Sequence, residues 1–506
     1  MAVEHVFVLM LENRSFDHML GFSGITGTDA QTGEPTEIDG LSGTESNSYD
    51  GQTYTVSSPA DWEMPVDPNH EFPDVLEQLT GTRDLPSDHH YPPIDDSGFV
   101  KNYARIEGVD QQNLGEILRC YEPQQLPVLT KLATEFVVCD GWWSSLPGPT
   151  WPNRFFAHAA SSGGLDHSPS IWELIDWEVF DGFSFPNGTA FDRLRGGGRT
   201  WKIYAGDWTP GVAALKGIGF MDWSWYTDFA GDVGSGDYSA DYTWIEPSYG
   251  HITSDYACGT SQHPQDDVTR GEHLLKCTYD ALRSSPIWDT SLLIVTYDEH
   301  GGFYDHTSPG PAAPPDDGTD SSEYNRYGFR FDQYGVRVPA VVVSPLVARN
   351  VIDHRTYDHS SIPATLSYLF GLDPLTDRDA QANGVHTLLT LPEPRSDTPE
   401  TMPEPAVSGV TNCTPLPPCG QWEFAFDVRE LPPPVTRPAE SADEGNLPAV
   451  IHAALKQDLE ISPPEEREER VARAKAVQTR EDAREYLAEV ERRLTAASPR
   501  AKRGPG

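Results

Sequence analysis

"EHVFVLMLENRSFDHMLG" runs from residue 4 to residue 21, and its first half decides the fold class. Val6, Phe7, Val8 and Leu9 form an apolar run without polar alternation, the pattern of a strand buried on both faces of a parallel sheet. The run stops on Glu12, Asn13, Arg14, Ser15 and Asp17. A buried strand ending this way delivers a carboxylate and a carboxamide where α/β sheets bind their ligands, beyond the carboxyl ends of the strands.

Runs of the same character recur at 134–140 (TEFVVCD), 199–206 (RTWKIYAG), 291–299 (SLLIVTYDE) and 336–345 (VRVPAVVVSP). Helical periodicity lies between some of them, at 266–285 and 357–372. Strands alternating with helices predict an α/β domain, a mostly parallel sheet with helices on both faces. Stretches 22–66, 207–262 and 307–330 fit neither pattern and are expected as insertions; the aromatic content of 207–262 suits the wall of a site.

Near residue 390 the composition turns to Pro and Glu, and "ELPPPVTRP" at 430–438 is a second rigid spacer. After 445 Glu alternates with Arg and Lys over a thin apolar stripe. The expected organisation is a catalytic domain over 1–395, a Pro-rich linker or wrapping segment over 396–445, and a charged helical extension over 446–506. That extension reads as a surface helix or helical hairpin docked on the main domain, or as a partner-binding element.

The 506 residues carry 78 acidic against 36 basic side chains, a formal charge of −42. That balance argues against a nucleic-acid partner, which needs a basic stripe. Six scattered cysteines are too few for a disulfide scaffold and form no CxxC pair; Cys413 and Cys419 could close a small loop around "TPLPP". No run is apolar enough to cross a bilayer and no signal peptide is visible, so the expectation is a cytoplasmic protein or a secreted one whose leader is missing from the sequence.

The chemistry gathers at strand ends. "TYDEHGGFYDH" (296–306) delivers Asp298, Glu299 and His300, followed by Gly301 and Gly302. Two adjacent buried carboxylates repel unless a cation neutralises them. With Glu12 and the Asn13 carbonyl they make an all-oxygen set suited to one hard divalent cation, Ca²⁺, Mn²⁺ or Mg²⁺. "SLPGPTWPNR" (145–154) holds Thr150 in a rigid turn, where a neighbouring metal could activate its hydroxyl as a nucleophile. His70, His263, His300, His306 and His359 lie in loops or at element starts, suited to moving protons or offsetting phosphoryl charge. Trp142, Trp143 and Trp151 flank Thr150, and indole faces suit a quaternary ammonium such as choline.

Together "ENRSFDHMLG", "PTWPNR" and "TYDEHGGFYDH" resemble the phosphoesterase family of bacterial phosphatidylcholine-hydrolysing phospholipases C, plant non-specific phospholipases C and a related acid phosphatase. "DPNHEF", "GTSQHP", "YGVRVPAVVVSP" and "DHSSIPAT" are similar to further blocks of it, so that the likeness covers about residues 4 to 390. The resemblance implies an alkaline-phosphatase-like α/β/α sandwich and hydrolysis through a phospho-threonine. It implies Glu12, Asn13, Asp298 and Glu299 as metal ligands, Thr150 as nucleophile and ligand, and His70 and His263 at the phosphoryl group. His300, His306 and His359 lie inside family blocks. The export signal and C-terminal β-rich repeats of many secreted bacterial members are not visible here.

The expected function is a metal-dependent phospholipase C cutting the glycerol-side phosphodiester bond of phospholipids such as phosphatidylcholine. Its substrate would be a phospholipid or a small phosphate ester, met with transient contact to a membrane surface. The alternatives are an acid phosphatase acting on monoesters and a non-catalytic, metal-stabilised binding module.

Overall fold

The computed structural model describes residues 3–420 and 434–498. His5–Leu11 (β1) is buried along its whole length. Full burial of each Val, Leu, Met or Phe side chain favours folding by roughly 1.5–3 kcal/mol, so the opening run contributes heavily to the core. The same sheet contains Thr26–Asp29 (β2), Pro35–Glu37 (β3), Val137–Cys139 (β4), Trp201–Ala205 (β5), Ser224–Trp225 (β6), Tyr242–Glu246 (β7), Ser291–Tyr297 (β8), Ala340–Val343 (β9) and Val351–Asp353 (β10). Its order is β3-β2-β10-β4-β9-β8-β1-β7-β5-β6.

β1 sits between β8 and β7 and is parallel to both, with Val8 opposite Ile294 on one side and Trp244 on the other. The three strands therefore finish at one edge, which places Glu12, Asp298 and Glu246 together. The run at 336–345, expected as another parallel strand, forms β9 antiparallel to both β8 and β4. Burial on both faces writes the same apolar run for either direction, so the pattern carried no sign of the reversal. Stretch 207–262, expected as an insertion, contributes β6 and β7. "YTWIE" is too short and too aromatic to separate from the surrounding Trp- and Tyr-rich loops.

Two groups of helices cover the sheet. Val268–Ser284 (α3) packs with Pro127–Glu135, and Thr150–Ala159 (α2) packs with Ser361–Phe370 (α4). α3 starts where Asp267 accepts the Thr269 N–H, close to the expected boundary. α4 starts four residues later than the periodicity suggests, because Tyr357–Asp358 first pair with Trp142–Trp143 in a short parallel ladder. Phe72–Thr80 (α1) lies in the segment before β4.

The C-terminal extension forms Leu447–Ile461 (α5), Arg467–Lys475 (α6) and Arg480–Ala497 (α7). α5 is an integral part of the body. The Trp223 indole donates to Gln457, the Lys456 ammonium donates to the Ile218 carbonyl, and His452 meets the Val179 carbonyl. α7 begins with a capping box, Thr479 with Asp482, and buries Ala483, Tyr486, Val490 and Leu494.

Segment 396–420 wraps along α3, where Lys276 holds Thr401 and Met402 and Asp267 accepts from Ser408. The small loop expected between Cys413 and Cys419 does not form. Cys413 is bonded to Cys258 and Cys419 to Cys277, spans of 155 and 142 residues. Spacing along a chain says nothing about partners brought together by tertiary packing. Of the second spacer, 430–438, only 434–438 lies within the described residues, and the last eight residues of the extension lie outside them. Among the described residues no helix is long and apolar enough to cross a membrane.

Candidate active site

The ends of β1 and β8 deliver Glu12, Asn13, Asp298 and Glu299 side by side, all at most 1% exposed. Asn13 takes a left-handed backbone, φ 57°, which Asn tolerates better than most residues. Its N–H donates to Asp298 Oδ1 (3.0 Å) and its side-chain oxygen accepts from the Thr150 hydroxyl (3.4 Å). Gly301, φ 63°, lets the second chain close on the first; a Cβ there would lie 2.1 Å from the Asn13 carbonyl oxygen.

Thr150 is the first residue of α2, with Pro149 as its N-cap, and is 2% exposed. The hydroxyl thus sits at the positive end of a ten-residue helix, whose leading N–H groups have no intrahelical partner. One turn on, Arg154 Nε donates to Asp298 Oδ2 (2.8 Å) and its guanidinium reaches to 3.9 Å from Glu12.

Burial pushes the Glu12 carboxyl well above the usual range; Arg154 opposes this and Asp298 reinforces it. Asp298 is pushed up to about 6, mainly by burial, with Arg154 holding it down and Glu299 lifting it. Two carboxylate oxygens in this group, Glu12 Oε2 and Glu299 Oε1, are buried without a hydrogen-bond partner. Buried oxygens are seldom left so, and this one cluster holds two of them facing like charges. The chemistry of that donor set suits a hard divalent cation, and Asn13 and Thr150 add two neutral oxygens beside it. The carboxylate oxygens here are more widely spaced than the Asp17, Asp305 and His306 ligand atoms, which gather within 4.8 Å of one another.

The histidines divide. His70 Nε2 lies 3.4 Å from Asn13 Nδ2 and 4.0 Å from Glu299 Oε1, while Nδ1 donates to the Pro68 carbonyl. Burial lowers its pKa, but Glu299 and Asp67 more than offset this and hold it at about 10. His263 stacks on Tyr256 with centroids 3.4 Å apart, and its Nε2 lies 3.5 Å from Asp67. Burial lowers the pKa of His263. His300 is spent on Gln78 (2.8 Å) and on Glu299 Oε2 (3.4 Å). His359 accepts from the Trp142 indole and donates to the Asp298 carbonyl, so it braces the end of β8 from behind. His306 is placed elsewhere: it contacts Asp17, Asp39 and Arg337, and none of its hydrogen bonds reaches Glu12, Asn13 or Thr150.

Of the three tryptophans, Trp142 is fully buried and stacked on Tyr357, and only Trp151 lines the small cleft above Thr150. Three partners escaped the sequence reading. Arg154 stands in the Thr150 motif, but its partner Asp298 lies 144 residues away. Asp67 stands three residues before His70 and serves His263. Asn446, at the start of the extension, donates from Nδ2 to Thr150 Oγ1 (3.2 Å). A lone Asn 296 residues from its partner leaves no signal in the sequence.

Residues 3–373 match the family model described as "Phosphoesterase family". Non-specific phospholipase C3 of Arabidopsis thaliana is 35% identical over 424 residues, 79% of this chain and 76% of that protein. Phospholipase C B of Mycobacterium tuberculosis (strain ATCC 25618 / H37Rv) is 27% identical over 431 residues, 73% of this chain and 74% of that protein. Among solved structures, a protein in the alkaline phosphatase superfamily from Vibrio parahaemolyticus covers 53% of this chain at 14% identity and a TM-score of 0.30, a likeness too slight to carry an argument.

Proposed function

The chain belongs to the phosphoesterase family and is a phosphoric ester hydrolase, and on that premise we propose that it is a metal-dependent phospholipase C with Thr150 as nucleophile. The observation that carries this reading is the pair of partnerless carboxylate oxygens, Glu12 Oε2 and Glu299 Oε1, in the cluster whose Asn13 accepts from the Thr150 hydroxyl. The names of the plant and mycobacterial relatives support the lipid substrate.

Glu12, Asn13, Thr150, Asp298 and Glu299 would hold one divalent cation. Bound there, it supplies positive charge that favours the ionised Thr150 hydroxyl and offsets charge on the phosphoryl group. The chain's own groups do the rest. Asn13 and Asn446 orient the Thr150 oxygen from two sides. The amino end of α2 favours negative charge at the same point. Thr150 Oγ, its proton given up to solvent, attacks phosphorus, forming an O–P bond as the bond to the glycerol oxygen breaks. His70, with its Nε2 4.0 Å from Glu299 Oε1 at the edge of the cluster, is placed to donate the proton that the leaving alkoxide needs. Water then cleaves the phospho-threonine; His263, kept largely neutral by burial and oriented by Asp67, is placed to accept its proton.

Acid quenching during turnover of a phosphatidylcholine should leave phosphate on the peptide containing Thr150. Thr150→Ala should lose at least about 10⁴-fold in kcat while keeping its melting temperature. Parental turnover by that variant would end the assignment. Running a phosphate monoester in parallel decides between diester and monoester preference.

A further inference from the structure

A cavity of about 770 Å³ lies between the carboxyl ends of β5 and β7 and the C-terminal extension. Trp208, Trp225, Tyr226, Tyr249 and Leu274 line it from the main body. α7 closes the opposite side with Arg484, Leu487, Ala488, Glu491 and Thr495. These recur at three- and four-residue spacing, so they form a second face of α7, distinct from the one buried through Ala483, Tyr486, Val490 and Leu494. Leu416 and the disulfide-bonded Cys258 bring the wrapping segment to the wall.

Several charged groups in the lining are occupied within the protein. Glu246 accepts from the Gly211 and Val212 N–H groups and from Trp244 and Tyr249. Asp207 accepts from Ser248 and the Tyr249 N–H, Arg270 donates to three backbone carbonyls, and Glu491 accepts from Trp208. What faces an occupant is mainly aliphatic and aromatic surface, with the Arg492 side chain among the lining groups. The cavity also adjoins the reaction centre. Thr209, Tyr249, Ile252 and Val450 line both it and the cleft of about 20 Å³ that holds Glu12 and Thr150. That cleft has room for little beyond the reacting group, whereas the cavity falls in the range of about 300–1,000 Å³ used for sizeable organic ligands.

We propose that this cavity receives the acyl chains of the lipid whose phosphodiester is cut at Thr150, making the C-terminal extension one wall of the substrate site. The proposal rests on the phospholipase C reading and adds to it the place where the diacylglycerol part is held. Its occupant follows from position: a chain leaving the glycerol oxygen at Thr150 meets the four shared side chains and then an apolar space.

The test compares short-chain phosphatidylcholines, dibutyroyl to dihexanoyl and below their micelle thresholds, with acyl-free 4-nitrophenyl phosphocholine. The full-length parent should gain kcat/KM several-fold with each pair of methylenes on the lipids. Ala488→Trp, which fills the cavity from α7, should lower the ratio of lipid to acyl-free kcat/KM at least about tenfold and flatten the chain-length series. Thr495→Phe tests the same wall from a second position should the first variant fold poorly. Equal loss on both substrates, or an unchanged series in folded variants, overturns the acyl site and leaves the phospholipase reading standing. Cleavage of the acyl-free diester with no lipid hydrolysis by the parent overturns both.

Discussion

Two clusters of buried carboxylates grow from the same two sequence blocks, and they are finished in opposite ways. Glu12, Asp298 and Glu299 keep two oxygens without partners, and the one guanidinium present, Arg154, pairs only with Asp298 at close range. A few residues further along each block, Asp17 and Asp305 meet Arg337, which bonds both and reaches Asp39 as well, while His306 closes on Asp17 from the other side. No Asp17 or Asp305 oxygen is left orphaned. Asp17, Asp305 and His306 are close enough to resemble a metal site. The guanidinium already provides the charge that a metal would bring, so geometry alone is a poor guide to cation binding. A carboxylate cluster becomes a candidate metal centre when its protein cations run out before its oxygens do.

The largest test of the contrast is loss of a ligand. Glu299→Gln should cut turnover at least about 100-fold and abolish the rise in melting temperature given by Ca²⁺, Mn²⁺ or Mg²⁺. Chelation of the parent should give the same loss, reversed by metal. An intact metal response in Glu299→Gln would move the cation elsewhere, with the Asp17 cluster the first place to look. Next is Arg337→Leu, which strands buried carboxylates and should cost about 3–5 kcal/mol in denaturant unfolding while the metal response of the remaining folded protein persists. A loss under about 1 kcal/mol would mean that Arg337 is not what balances this cluster.

The smallest effect is the pH dependence of His306. Burial lowers its pKa, but the Asp17 and Asp39 hydrogen bonds outweigh burial and raise it to about 10. A raised folded pKa means that the folded state holds the proton more tightly. Its contribution is therefore complete below the unfolded value near 6.5 and is lost as pH rises through about 10. With the ring 19% exposed, that loss should amount to about 2 kcal/mol between those limits. His306→Asn should flatten that slope, and a parental slope in the variant would place the titration on another group.

The sequence carried the adjacency of Glu12–Asn13 with Asp298–Glu299 because both pairs end long, largely apolar strands, and such strands are neighbours at the centre of a sheet. It did not carry β9's direction, since an apolar run reads alike both ways. β7 was masked because "YTWIE" is embedded in aromatic loops that share its composition. Arg337 stands in "YGVRVP" as an unremarked basic residue at a strand start, and its three carboxylates come from three separate segments. Asn446 and the cysteine partners depend on segments that return from well over a hundred residues away. What the sequence withholds here is long-range pairing between single side chains.

The two disulfides also decide how damage would look. Stretch 316–323 is largely exposed, the kind of segment proteases reach first. It lies between Cys277 and Cys413, so a cut there leaves Cys258 and Cys277 on one fragment and Cys413 and Cys419 on the other. The nicked protein would run as a single band until thiol is added and as two afterwards, with the fragment carrying Asp298 still fastened to the one carrying Asn446.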